Sequence, residues 1–224
     1  MAYAGCLELA RPLRSGYQPE RLRVQFLREL SIGEIVSRLA GVLLYVGLQG
    51  VLLAGLAWLM GDRRPRFDGR LSLNPFVHLS VWGAVMAALF AASWPRAVWF
   101  DAAQNRLGRI GVALVTLGAL VAMVVLVVLV NLVQPVALLL PRSGSYVVLY
   151  VLGQFKLIAV SASILNLLPV PGLAGGGWLQ AIWPQSERRL RRAEPICLAI
   201  VVAVIVAGGY PNPAPMILSY VQPG

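Results

Sequence analysis

The sequence predicts an all-α, polytopic membrane protein with about five hydrophobic helices, one of them re-entrant in one of two threadings. Three observations carry this. Of 224 residues, 58% are hydrophobic and 12% charged, with a mean hydropathy of +0.75. A soluble domain carries about 25% charged residues, and a chain this apolar could not cover its own surface in water. Its apolar residues also gather in runs close to the ~20 residues that a helix needs to cross the hydrocarbon core. Finally, the alternation expected of membrane β-strands is absent, and backbone in lipid must satisfy itself internally, which leaves helices.

The polar N-terminal segment comprises residues 1–35 and the transmembrane domain 36–224. Within 19–30, Leu22, Val24, Phe26, Leu27 and Leu30 alternate with Arg21, Arg23 and Arg28, which fits a short interfacial helix or an ordinary solvated one. The apolar runs are 39–60, 75–93, 110–133, 146–170 and a shorter 196–207, after which 216–221 could return to the bilayer. Trp58, Trp82, Trp94, Trp99, Trp178 and Trp183 fall mostly near run ends, as in an interfacial aromatic belt. Cys6 and Cys197 are too far apart in sequence and context to suggest a disulfide framework.

The net charge of +10 comes almost wholly from arginine. The arginines cluster between apolar runs without aromatic interleaving, which argues against nucleic acid and for membrane orientation and contact with anionic lipid. One loop holds Arg63, Arg64, Arg66 and Arg70, the next Arg96, Arg106 and Arg109, and a third Arg188, Arg189, Arg191 and Arg192. If every run crosses once, the first of these loops faces away from the cytoplasm, against the positive-inside rule. If 76–93 enters and leaves on one side, all three are cytoplasmic, but the arginine-bearing N-terminal segment, with Arg38 at its end, then lies outside.

Several segments resemble a known family when taken in order. Gly61-Asp62 is followed after six residues by Gly69-Arg70-Leu71-Ser72-Leu73-Asn74-Pro75, then by His78 and Gly83. Trp94-Pro95 follows, and later Asn166-Leu167-Leu168-Pro169-Val170-Pro171-Gly172-Leu173-Ala174-Gly175-Gly176. This order resembles that of the site-2 proteases, intramembrane zinc metalloproteases, in the short form without a PDZ domain. The likeness covers most of residues 40–180 and implies a site-2-protease-like core.

The family's chemistry needs a His-Glu-x-x-His helix, with two imidazoles one turn apart and a general base, plus a distant Asp as third zinc ligand. The resemblance puts the two His positions at Gln49 and Leu53, the Glu at Gly50 and the Asp at Ala174. Ligands and base are all replaced, so no catalytic residues, metal site or cofactor is expected, and the vacated site leaves room for lipid or pigment. His78, the only histidine, is a weak pigment-ligand candidate and more often a hydrogen-bonded structural residue. Lys156 in the fourth run must face a cavity or partner, or snorkel to a boundary; with Ser161 and Ser163 nearby it could also form a Ser–Lys dyad. Asn166 with Pro169 and Pro171 should break the helix and satisfy freed carbonyls. Gly175, Gly176 and Gly177 suit a turn or a close helix approach. Arg188, Arg189, Arg191 and Arg192 are candidates for anionic lipid.

The expected function is that of a pseudoprotease: a non-catalytic subunit in a bacterial inner membrane that packs against transmembrane helices of a larger complex, with respiratory and photosynthetic complexes as candidate hosts. A regulatory or assembly factor that binds client helices without cleavage is one alternative. A small transporter or lipid-binding protein using Lys156 is another.

Overall fold

The computed structural model describes residues 32–221; the expected 19–30 helix and Cys6 lie outside them. Helix α1 (Ile32–Leu59) starts before the apolar run, and residues 32–35 form its first turn. Three short helices follow: α2 (Arg64–Phe67), α3 (Pro75–His78) and α4 (Val81–Phe90). Then come α5 (Gly108–Ala137) and α6 (Arg142–Leu165), α7 (Gly176–Ile182), a 3-10 turn at Pro184–Ser186, α8 (Glu187–Val206) and α9 (Ala214–Val221). Helices α1, α5 and α6 are long and apolar enough to cross a membrane. They pack on one another around a core that includes Val42, Tyr45, Val46, Met123, Phe155 and Ile158.

Local chemistry explains the helix ends. Gly61 at φ +97° closes α1, a left-handed conformation that favours glycine. The buried carboxylate of Asp62 accepts hydrogen bonds from the Arg64 N–H at 2.9 Å and the Asp101 N–H at 2.8 Å. Burial raises the Asp62 carboxyl above its ordinary value, and these two bonds pull the other way. The Asn74 side chain accepts from Phe76 N–H and the Ser80 side chain from Gly83 N–H, capping α3 and α4.

The second apolar run does not form a spanning helix. Helix α4 has only ten residues and ends at Ala91, which sits in the left-handed region at φ +53°. The chain then returns: Leu79 and Pro95 form an antiparallel bridge, and the Arg96 N–H donates to the His78 carbonyl at 2.7 Å. Ten helical residues at about 1.5 Å each span about 15 Å, which five extended residues at about 3.3 Å can retrace. The Arg106 N–H also donates to the Met60 carbonyl at 2.7 Å, joining the end of α1 to the approach to α5. The segment therefore enters and leaves at one end of the bundle.

Helix α8 corrects another expectation. Arg188, Arg189, Arg191 and Arg192 lie in its first turns rather than in a loop. The stretch Glu187-Arg188-Arg189-Leu190-Arg191-Arg192-Ala193 consists of good helix formers, and Glu187 complements the positive helix N-terminus. Glu187 accepts from Arg64 at 2.7 and 3.0 Å and from Arg191 at 2.9 Å, tying α8 to α2. All three arginine clusters thus share one end of the bundle, with Arg142 at the other.

Two outcomes are expected. In a chain whose native cysteines are changed to serine, cysteines placed at Arg63, Arg106 and Arg188 should be labelled from the same side of sealed vesicles, and one at Arg142 from the opposite side. Labelling of positions 63 and 106 from opposite sides would require the intervening segment to cross. The Arg64 hydrogen bond, helped by Arg191, holds the Glu187 carboxyl below its ordinary value against the opposing effect of burial. A depressed carboxyl contributes stability that is complete above the unfolded value of about 4.3 and lost as pH falls through the folded value. Thermal melting in detergent from pH 7 to 3 should therefore show a steeper acid decline for the native chain than for Glu187→Gln.

Candidate functional site

Three of the positions singled out by the protease resemblance lie on one stretch of α1, and the fourth packs on a cluster that this stretch shares. Gln49 and Leu53 lie one turn apart on α1, 0% and 2% exposed. Leu53 belongs to an apolar cluster with Ala57, Val98, Val112 and Val115, and Ala174 packs against that same cluster. Gly50, between them, faces His78: a Cβ built on Gly50 would lie 2.1 Å from Nδ1 and 2.2 Å from Cγ of the imidazole. The ring therefore occupies the space into which a side chain at position 50 would project.

His78 is 0% exposed. Its Nε2 lies 2.9 Å from the Ser72 carbonyl; a carbonyl only accepts, so Nε2 carries the proton in the neutral ring. Nδ1 has no hydrogen-bond partner. The imidazole is held between the Ser72 carbonyl and the backbone of α1 at Gly50. The Gln49 amide, also buried, has neither Oε1 nor Nε2 hydrogen-bonded.

Asn166 ends α6 and organises the loop that follows. Its Nδ2 donates to the Ala162 carbonyl at 2.8 Å, the Ser93 carbonyl at 3.1 Å and the Tyr45 hydroxyl at 3.2 Å. Its Oδ1 accepts from the Ala174 N–H at 2.9 Å, and its own carbonyl from the Gly175 N–H at 2.8 Å. Ala174 thereby contributes a backbone donor to the Asn166 side chain. A Cβ on Gly175 would meet the Leu168 carbonyl at 2.3 Å, so the glycine is needed for close approach within this turn.

Zinc does not fit these residues. An amide at Gln49, an alkyl chain at Leu53 and a methyl at Ala174 cannot make a tetrahedral set of nitrogen and carboxylate ligands. Among the described residues, no three His, Cys, Asp or Glu side chains group closely enough to hold a metal.

Lys156 is 1% exposed. Its Nζ donates to Asn131 Oδ1 at 2.9 Å and Gln134 Oε1 at 3.3 Å, both near the C-terminal end of α5. The side chain leans toward the N-terminus of its own helix, as helical side chains do, and so away from Ser163, whose hydroxyl has no partner. Ser161 instead contacts Tyr210, whose hydroxyl donates to the Ser161 carbonyl at 2.7 Å. No bond joins the lysine to either serine, so the side chains of a Ser–Lys dyad are not brought together.

Arg38, read from sequence as part of a polar segment, is 4% exposed. It pairs with Glu34 and donates from Nη1 to the Ala88 carbonyl at 3.0 Å and the Leu89 carbonyl at 3.5 Å. Gln180, which nothing in the sequence distinguished, accepts from the Phe100 N–H at 3.0 Å and donates to the Val98 carbonyl at 3.4 Å. Trp94, assigned by sequence to an aromatic belt, is completely buried, whereas Trp58, Trp82 and Trp183 are exposed.

No protein-family model, curated protein or solved structure matches the chain.

The contact between Gly50 and His78 makes a quantitative prediction. Gly50→Ala should destabilise the protein by about 1–3 kcal/mol through overpacking, read as a lower melting temperature in detergent. In a His78→Ala background the same change should cost under about 0.5 kcal/mol, since the ring is gone. Equal penalties in both backgrounds would mean that the ring does not limit this position.

Proposed function

We propose that this chain is a pseudoprotease: a site-2-protease-like membrane scaffold that binds transmembrane helices as a non-catalytic subunit of a larger membrane complex. The observation that carries this reading is the packing at Gly50, where an imidazole occupies the place in which the resembled family has its general base. The apolar cluster shared by Leu53 and Ala174 supports it further, because ligand positions far apart in sequence lie together with packing side chains in place of donors. The chain is a multi-pass protein of a bacterial cytoplasmic membrane, and its arginine-rich end faces the cytoplasm by the positive-inside rule.

An outward face is available for a partner helix. Along α5, Leu114, Val121, Val125, Val128 and Leu132 are all exposed, and their spacing places them along one stripe of the helix. Membrane helices associate through packing and interhelical hydrogen bonds rather than through the hydrophobic effect, so a Val/Leu face serves equally against lipid and against a partner. The regulatory alternative differs in lacking stable association.

The deciding experiment is purification from the native membrane in a gentle detergent, with mass spectrometry of what accompanies the chain and metal analysis of the same sample. A partner in fixed stoichiometry without zinc is the expected result. Zinc near one per chain would overturn the pseudoprotease reading. A lone chain would overturn the subunit reading.

A further inference from the structure

Two cavities of opposite character meet at Glu194. The first, about 630 Å³, is lined by Arg64, Arg70, Arg96 and Arg191 with Asp68 and Glu194. The second, about 450 Å³, is lined by Trp82, Pro195, Leu198, Ala199 and Val202, again with Glu194. Glu194, Leu198 and Val202 are spaced by four residues on α8, so they share one face and extend about 12 Å along the axis. The apolar groove thus begins where the arginine pocket stops and continues along the apolar part of α8.

The arginines are not equivalent. Arg64 and Arg191 are bound to Glu187, and Arg191 also stacks over Trp99 at 4.5 Å. Arg70 donates to the Val77 carbonyl at 2.9 Å and the Ala97 carbonyl at 3.5 Å. Among the described residues, the exposed Arg96 guanidinium makes no side-chain hydrogen bond or ion pair, and Glu194 is the carboxylate that feels its charge. Four guanidinium groups face two carboxylates in the lining and the nearby Glu187, which leaves an uncompensated positive charge with Arg96 available to hold an anion. Arginine's planar fork suits phosphate oxygens. By contrast, Arg188, Arg189 and Arg192 do not line this pocket.

We propose that the paired cavities form a specific site for an acidic phospholipid, with the headgroup phosphate among Arg70, Arg96 and Arg191 and an acyl chain along Trp82, Leu198 and Val202. Glu194 and Asp68 accept hydrogen bonds from the glycerol hydroxyls of phosphatidylglycerol, whose headgroup adds no positive charge to the four arginines. The groove selects a lipid over free phosphate, since a small anion would leave it unfilled. The assignment rests on the two cavities and does not depend on the pseudoprotease reading.

The test is native mass spectrometry of the full chain in detergent, titrated with phosphatidylglycerol, phosphatidylethanolamine and phosphatidylcholine, and separately with inorganic phosphate. Phosphatidylglycerol should be retained about tenfold more strongly than either other lipid, because the zwitterionic lipids bring an ammonium group that the surplus guanidinium charge repels. Arg96→Glu and the milder Arg96→Gln should remove most of that preference, while Arg188→Glu, outside the pocket, should keep it. Ala199→Trp should weaken phosphatidylglycerol several-fold by filling the groove and leave phosphate uptake unchanged. Equal retention of all lipids, or preference for phosphatidylethanolamine, would overturn the assignment. So would equal losses from Arg96→Glu and Arg188→Glu, which would indicate diffuse attraction. Displacement of the lipid by phosphate, with Ala199→Trp silent, would assign the pocket to a free anion.

Discussion

Residues 79–100 turn back inside an apolar bundle, and the hydrogen bonds of that turning backbone constrain much of the remaining structure. A helix satisfies itself, but the end of α4 and the extended return after it do not. In apolar surroundings each unpaired group costs several kcal/mol. Side chains from other elements therefore reach in. Arg38 takes the Ala88 and Leu89 carbonyls, Asn166 takes Ser93, Arg70 takes Ala97, and Gln180 takes Val98 and the Phe100 N–H. These four residues come from α1, the end of α6, the α2–α3 connection and α7, so supporting one short segment fixes the mutual placement of most of the bundle.

Close packing surrounds the positions that the protease resemblance singles out. Gln49 and Leu53 lie a turn apart with Gly50 between them, and Ala174 packs on the cluster that holds Leu53. The side chains there fill space instead of donating lone pairs. Gly50 is the position where this is most restrictive, because its lack of a Cβ admits the His78 ring. Some polarity is left over. The Gln49 amide and His78 Nδ1 are buried without partners, an arrangement that packing alone would not favour.

Charge is distributed by the same economy of placement. Lys156, deep in α6, is held by two amide oxygens from α5, and Arg38 is consumed by carbonyls and Glu34. The remaining arginines gather at one end, where Glu187 pins α8 to α2 and an arginine pocket opens beside an apolar groove. Buried cations serve the fold, and at the bundle end Arg64, Arg70 and Arg191 also hold it together while Arg96 is exposed.

The helical class, the three long apolar helices and the break at Asn166 were legible in the sequence, because composition and run length report directly on burial and on backbone satisfaction. The path of residues 76–93 was not: an apolar run records that a segment avoids water, not whether it crosses or returns. That was decided by the bonds from Arg106 to Met60 and from Arg96 to His78, which join residues far apart in sequence. Gln180 and the burial of Arg38 were hidden for the same reason, since their partners are backbone carbonyls that carry no sequence signal. The helical start of α8 was missed because its arginines read equally well as a solvated loop, and only the tie between Glu187 and Arg64 shows which surface they belong to. Sequence by itself determined which segments avoid water; tertiary structure decided which groups meet, because hydrogen-bond partners are set by proximity in space.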